Sequence, residues 1–375
     1  MMGRACFSRQ SDLQPAYAPE VVLASLAQGS SIWCQGSRPS ADLKNYLEEA
    51  LMKFRSLLAL ACGVFVAAPA FAQDYPTKPI TIIVPFAAGG PTDVAARIYG
   101  EYFSRQLGQQ FVIENVAGAG GTTGAVRAAR STPDGYTLFV HNVAPHVAGP
   151  ALYPSAQYDP VKNFDPIGTL AFAAHYVVTR KNFPANDLKE FIAYAKANPG
   201  KLNYGSAGAG SATHLACVLF GQQTGTDIVH VPYRGTGPAL NDLVAGTLDF
   251  MCDQGLNMMG QYKGGTVKVL AVAQGARFPG LPEVPTSAEA GLSGFEVTAA
   301  TAMYAPAGLP ANVRSKLVST MAAAYKDADL RKRIEDLASE LPNASQNTPE
   351  ALGAFTQKEA ARWTDAIKKG NIKAQ

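Results

Sequence analysis

Pro79-Ile80-Thr81-Ile82-Ile83-Val84-Pro85, running into Phe86-Ala87-Ala88-Gly89-Gly90-Pro91-Thr92-Asp93, is the stretch that decides the fold. A β-branched run between two prolines reads as a short buried strand, and the double glycine as a loop. Pro91 suits the first turn of a helix, where its missing N–H costs nothing. Apolar Val94, Ala95, Ile98 and Tyr102 carry that helix onward. The same order recurs downstream. Residues 111–116 form a strand, 118–124 a second glycine loop, 125–130 a helix and 136–140 a third strand after the Asp134-Gly135 turn.

Beyond residue 200 the pattern resumes. Leu202-Asn203-Tyr204 enters the glycine loop 205–211, followed by a helix with Leu215, Val218, Leu219 and Phe220. Residues 228–231 enter 232–237, followed by a helix with Leu240 and Leu243, and 248–251 and 267–273 add strands. From Pro310 the chain reads as helical over 311–325, 328–339 and 349–369. This alternation predicts an α/β protein with a largely parallel sheet. Strand-like crossovers near 173–179 and 295–304 predict two lobes with a cleft between them, bending near Thr179 and Thr301. Such clefts, at the carboxyl ends of strands, are where ligands bind.

With 375 residues, 47% of them hydrophobic, the chain has ample material for a buried core, and its length favours two domains. A net charge of +3 without a dense Lys/Arg run argues against nucleic acid as a partner. Met52-Lys53-Phe54-Arg55 starts a basic segment, residues 57–68 are apolar, and Pro69-Ala70-Phe71-Ala72 closes with small residues. That is a secretory signal cut after Ala72, too short and too interrupted by Gly63 and Pro69 to serve as a membrane span. Residues 1–51, with no sustained period, are expected to be an over-extended translation without a fold. The exported chain then retains Cys217 and Cys252, expected to form a disulfide within the second lobe; two buried thiols are the alternative.

Catalytic patterns are thin. Ser206 and Ser211 lack a nucleophile-elbow spacing, and no loop carries a Walker Gly-Lys-Ser/Thr. Gly118-x-Gly120-x-x-x-Gly124 misses the dinucleotide spacing, so no cofactor is expected. The cysteine spacing gives no metal site. His141, His146, His175, His214 and His230 are scattered and read first as packing residues. What the chain does offer is three glycine loops, each ending at a helix start. Unpaired N–H groups and the positive helix end make such a place receptive to an anion. Asp93 and Asp253 follow strand ends and read equally as ligand contacts or as caps and turn holders. Arg234 reads as an anion contact or a solvated charge.

At these loops the chain resembles the tripartite tricarboxylate transporter substrate-binding proteins, the Bug or TctC family. The residues that carry the likeness are 83–93, Asp134-Gly135-Tyr136-Thr137-Leu138, 205–215, Val231-Pro232-Tyr233-Arg234-Gly235 and Ala305-Pro306-Ala307-Gly308, in order from about Tyr75 onward. The resemblance implies a periplasmic two-lobed, type II-like binding fold without catalysis, each lobe a mixed sheet flanked by helices and joined by hinge strands. Lobe I would comprise 73–175 plus 299–375, and lobe II 176–298. It implies a small carboxylate held by backbone amides and delivered by a monomer to membrane permease subunits. A ligand sensor, or an exported enzyme on the same architecture, is the alternative. The ligand-binding set that follows is Phe86, Ala88, Gly89, Gly90, Thr92, Asp93, His141, Ser206, Gly208, Gly210, Ser211, Tyr233, Arg234 and Asp253. Family members often carry Trp ahead of the Ala-Pro-Ala-Gly segment, where this chain has Ala300-Thr301-Ala302.

Overall fold

The computed structural model describes residues 45–46, 49–52 and 75–370. The chain falls into two units, Met1–Ala72 and Gln73–Gln375. In the first, 45–46 and 49–52 are helical and exposed, which departs from the expectation that nothing before residue 51 folds. The apolar part of the expected signal and its cut after Ala72 lie outside the described residues.

In the second unit, β1 (Ile80–Val84), α1 (Pro91–Leu107), β2 (Phe111–Asn115), a 3-10 turn (Ala119–Gly121), α2 (Thr122–Ala129), β3 (Thr137–Asn142) and α3 (Val143–Leu152) come first. The 17-residue β4 (Phe164–Arg180) follows. Then come α4 (Leu188–Ala197), β5 (Asn203–Ser206), α5 (Ala212–Thr224), β6 (Val229–Pro232), α6 (Thr236–Ala245), β7 (Phe250–Gln254), α7 (Gly255–Lys263) and β8 (Val267–Val272). Strand β9 (Thr298–Pro306) and helices α8 (Ala311–Ala324), α9 (Ala328–Glu335) and α10 (Pro349–Gly370) complete it.

The strands form one path, β2-β1-β3-β9-β4-β7-β5-β6, with β8 also on β4. It divides into two halves of like design. In the first, parallel β2, β1 and β3 meet antiparallel β9, and β9 meets β4. In the second, parallel β6, β5 and β7 meet antiparallel β4, and β4 meets β8. Strands β9 and β4 thus occupy matching positions. The sheet is therefore mixed: the glycine-loop units are parallel, as the sequence predicts, and the two long strands run against them. Strand β4 pairs with β9 through Ala174 and with β7 from His175. The change of partner falls at 174/175, inside one expected crossover but several residues from Thr179, and β9 begins at Thr298, inside the other.

Helices cover both faces of each half, which is why strands such as Ile80–Val84 are apolar almost throughout. Ile80, Ile82 and Val84 pack on Ala95, Tyr99 and Phe103, while Ile83 and Phe139 face Ala125 and Ala128. Phe191, Phe220, Phe250 and Phe295 fill one side of the second half, and Met251, Leu240 and Leu243 the other.

The expected disulfide is not present: Cys217 and Cys252 are free and buried. They are neighbours, with the Cys252 N–H donating to Cys217 Sγ at 3.2 Å. Both fill space between α5 and β7 among Phe220 and Phe250, as small apolar side chains do. Burial first, then the Cys217 thiol, pushes the Cys252 thiol well above its usual range. No helix among the described residues is long and apolar enough to cross a membrane.

Candidate functional site

Five helices begin around one small cavity. Gly90, Pro91 and Thr92 open α1; Asn142 immediately precedes α3; Ser211, Ala212 and Thr213 open α5; Thr236 opens α6; and Gln254 immediately precedes α7. Phe86 and Ala207 complete the lining, so no charged side chain faces the cavity. Each helix start presents N–H groups without an intrahelical partner together with the positive end of its dipole. Converging on one point, they make a site for negative charge that needs no buried cation. The cavity leaves about 10 Å³ for the centre of a water molecule, roughly one solvent molecule's worth. A larger hollow of about 380 Å³ lies between α5, α10 and the crossing strands. Phe172, Leu215, Phe355 and Trp363 make it apolar, and Glu359 there is paired with Arg362.

Of the residues expected to bind ligand, Phe86, Gly90, Thr92 and Ser211 line the small cavity. Ala88 and Gly89 instead line an open groove with Gly237 and Asn257. Asp93 turns away. Its carboxylate accepts from the Gly89 N–H at 3.0 Å, from Arg97 at 2.8 and 3.0 Å, and from Asn115 Nδ2 at 2.9 Å. Burial pushes its pKa up, but those donors outweigh burial and hold it below the usual value. Asp93 is therefore the residue that fixes the glycine loop, one of the two readings its position allowed.

Asp253 also stands behind the site. It accepts from Asn257 Nδ2 at 2.5 Å and from the Gln254 N–H at 2.8 Å, and burial raises its pKa to about 7. His141 is fully buried between Phe86 and Phe139, each ring centre 5.3 Å away. Burial, then neighbouring His146, holds it well below its usual pKa, so it is neutral. Ser206 bonds His230 at 2.6 Å and accepts from the Gly208 N–H at 3.1 Å. Gly208 lies against the Tyr233 carbonyl and Gly120, and Gly210 against Leu152. Tyr233 donates to Asp242 at 2.5 Å.

Arg234 is exposed, its guanidinium 3.5 Å from the Ala117 carbonyl. Its own carbonyl accepts from the Ala87 N–H at 2.9 Å. Arg234 thus joins the two sides of the cleft by its rim. Tyr153 does the same from the other side, donating to the Ala209 carbonyl at 2.9 Å.

Asn142, Ala207, Thr213, Thr236 and Gln254 line the cavity without having been singled out from the sequence. Asn142 donates to Thr301 Oγ1 at 2.8 Å and accepts from Thr92 Oγ1 at 3.2 Å. The signal available for it was an Asn directly before an apolar helix, the ordinary mark of an N-cap.

A family model described as the tripartite tricarboxylate transporter family receptor matches residues 95–372. The UPF0065 protein in the TAR-I ttuE-ttuC' intergenic region of Agrobacterium vitis is 37% identical over 317 residues, 84% of this chain and 91% of that protein. Among solved structures, periplasmic binding protein BugD is 39% identical with a TM-score of 0.76, covering 80% of this chain and 100% of its own. MatC from Rhodopseudomonas palustris, with bound malate, is 41% identical with a TM-score of 0.74, covering 78% and 100%. With a matching family model, a matching relative and a matching fold around a donor-lined cavity, the chain belongs to the tripartite tricarboxylate transporter family of solute-binding receptors.

Proposed function

We propose that this protein captures a small organic acid between two lobes, 73–175 plus 299–375 and 176–298, and delivers it from the periplasm to the permease subunits of a tripartite transporter, without transforming it. The observation that carries this reading is the convergence of five helix starts on one cavity with no charged side chain in its lining. Carboxylates would be met by the backbone N–H groups of Gly90, Thr92, Ala212 and Thr213 and by the hydroxyl of Thr236. A cation buried there would need its own counter-charge, and none is required. The malate bound to MatC supports the same ligand class.

A cavity of about 10 Å³ is too small for a dicarboxylate, so admission requires the sides to separate. The partner change at 174/175 and the start of β9 at Thr298 are the natural bending points. Ligand would shift the population toward closure, because only then do both sets of N–H groups reach it. Export through the leader at 52–72 fits the division of the chain at Ala72/Gln73. Titration calorimetry with a panel of four- to six-carbon di- and tricarboxylates, paired with small-angle scattering, tests the reading. Saturable binding with compaction and recovery of the unchanged acid is the expected result. Failure of the whole panel to bind, or conversion of the acid, would overturn it.

A further inference from the structure

The two halves of the sheet build the same device at the cavity, and complete it on one side only. In the first half, β3 ends in Asn142, which immediately precedes α3 and sits opposite Thr301 of β9. Its amide nitrogen donates to Thr301 Oγ1, and its carbonyl oxygen accepts from Thr92 Oγ1, two residues into α1 after the cap. In the second half, β7 ends in Gln254, which immediately precedes α7 and sits opposite His175 of β4. The amide nitrogen of Gln254 lies 3.4 Å from His175 Nε2. The residue that corresponds to Thr92 is Thr213, two residues into α5 after its Ser211 cap. Its hydroxyl is already engaged by the Ala207 N–H at 3.1 Å and Ser211 Oγ at 3.3 Å. Gln254 Oε1 is left buried with no hydrogen-bond partner, although the residue is fully buried and lines the cavity.

The orientation of that amide follows from chemistry. His175 Nδ1 is 3.1 Å from the Val297 carbonyl, which accepts only from an N–H, so Nδ1 carries the proton. Burial keeps the ring neutral, at a pKa of about 4. Nε2 then presents a lone pair, and only the –NH₂ of Gln254 can face it. Oε1 is thereby turned away from His175, on a residue that lines the cavity.

We infer that Gln254 is a specificity-determining residue whose Oε1 accepts a hydrogen bond from a hydroxyl on the ligand, with His175 as the positioning residue that holds the amide in that sense. An unpaired buried acceptor is costly, whereas a ligand donor satisfies it. A hydroxyl suits the place better than an ammonium, because the lining offers no carboxylate to balance the charge and Asp253 is turned to Asn257. This rests on the carboxylate reading above and narrows it to a hydroxy acid.

The test compares malate with succinate, which lacks the hydroxyl, by titration calorimetry on the full chain and on Gln254→Leu and Gln254→Met. The native protein should prefer malate by about tenfold or more, the range expected when a buried polar group loses its partner. Both variants should lose most of that preference, with malate affinity falling further than succinate affinity. Gln254→Met keeps the length and flexibility of the side chain, so it answers if the leucine variant misfolds. His175→Phe should erode the preference in the same direction, because the amide is then free to turn over. Equal affinity for the two acids in the native protein, or a preference that survives in both variants, would overturn the assignment to Gln254 while leaving carboxylate capture intact. If no acid of the wider panel binds, the carboxylate reading falls and this assignment with it.

Discussion

Gly237→Ala separates closure of the cleft from contact with the ligand. Gly237 lies in the first turn of α6 and does not line the small cavity. A Cβ there would sit 2.5 Å from the Ala88 carbonyl oxygen and 3.2 Å from the Gly89 carbonyl carbon, both backbone atoms on the facing side. Restoring ordinary contact, which starts near 3.4 Å, requires the loops to withdraw by roughly 0.9 Å. The Ala87 N–H bond to the Arg234 carbonyl, now 2.9 Å, cannot survive that shift. Loss of that bond and the poorer fit of the loops should cost the closed state about 1–3 kcal/mol, or roughly ten- to a hundredfold in ligand affinity. The same substitution removes a glycine from a helix, which stabilises the helix by up to about 1 kcal/mol. Calorimetry with the cognate acid should therefore show weakened binding, while the melting midpoint of the ligand-free protein holds or rises. Unchanged affinity would refute the reasoning. So would a drop in ligand-free stability as large as the lost binding energy, since the loops would then be pressed together without ligand.

Three further outcomes follow from the site and the core. Gly90→Val should abolish binding, because even a Cβ would stand 2.9 Å from Thr236 Oγ1, whereas Arg234→Ala should weaken it far less; the reverse order in calorimetry would replace backbone capture with side-chain recognition. Thiol titration of the denatured, unreduced chain spanning 73–375 should find both Cys217 and Cys252 free, and zero reactive thiols would restore the bridge. Stability should fall on acidification from pH 6.5 to about 4. There His146, His175 and His214, held near 4 chiefly by burial, refuse protons that the unfolded chain accepts, at a cost on the order of 3 kcal/mol each. Asp253, raised to about 7, works the other way between 3.8 and 7, so three groups outweigh one. A urea midpoint that rises on acidification would contradict this, and Asp253→Asn should stabilise more at pH 8 than at pH 4.5.

The strand, glycine loop and helix units were legible because each is punctuated by residues with strong backbone preferences: Pro79, Pro85, Gly89, Gly90 and Pro91 bracket β1 and start α1 within a residue of their observed places. Strand β4 was legible only at its far end. Pro166, Gly168 and a run of alanines give it no alternation, since it is buried on both faces and its partners lie far away in sequence. Helix α3 escaped notice because Pro145 and Pro150 lie within it. At the candidate site, the glycine loops expected from the sequence do line the cavity, but several of its lining side chains are not among the expected residues. Asp93 and Asp253 draw attention as charges, yet both face away and hold loops. Asn142 and Gln254 attract none, because a single carboxamide at a strand end has no pattern until the strand opposite it is known.

The change of partner in the middle of β4 has an energetic consequence. A ladder that switches neighbours at 174/175 flexes like a leaf spring: Ala174 stands in register with Thr298 on one plate and His175 with Gln254 on the other, while the His175 backbone stays bonded to Val297 and Ala273 as the plates tilt. The sheet then contributes little resistance to opening. The balance between open and shut is left to the rim, chiefly the Ala87–Arg234 and Tyr153–Ala209 bonds, each worth about 1 kcal/mol. Affinity in such a protein is adjustable at positions the ligand never touches.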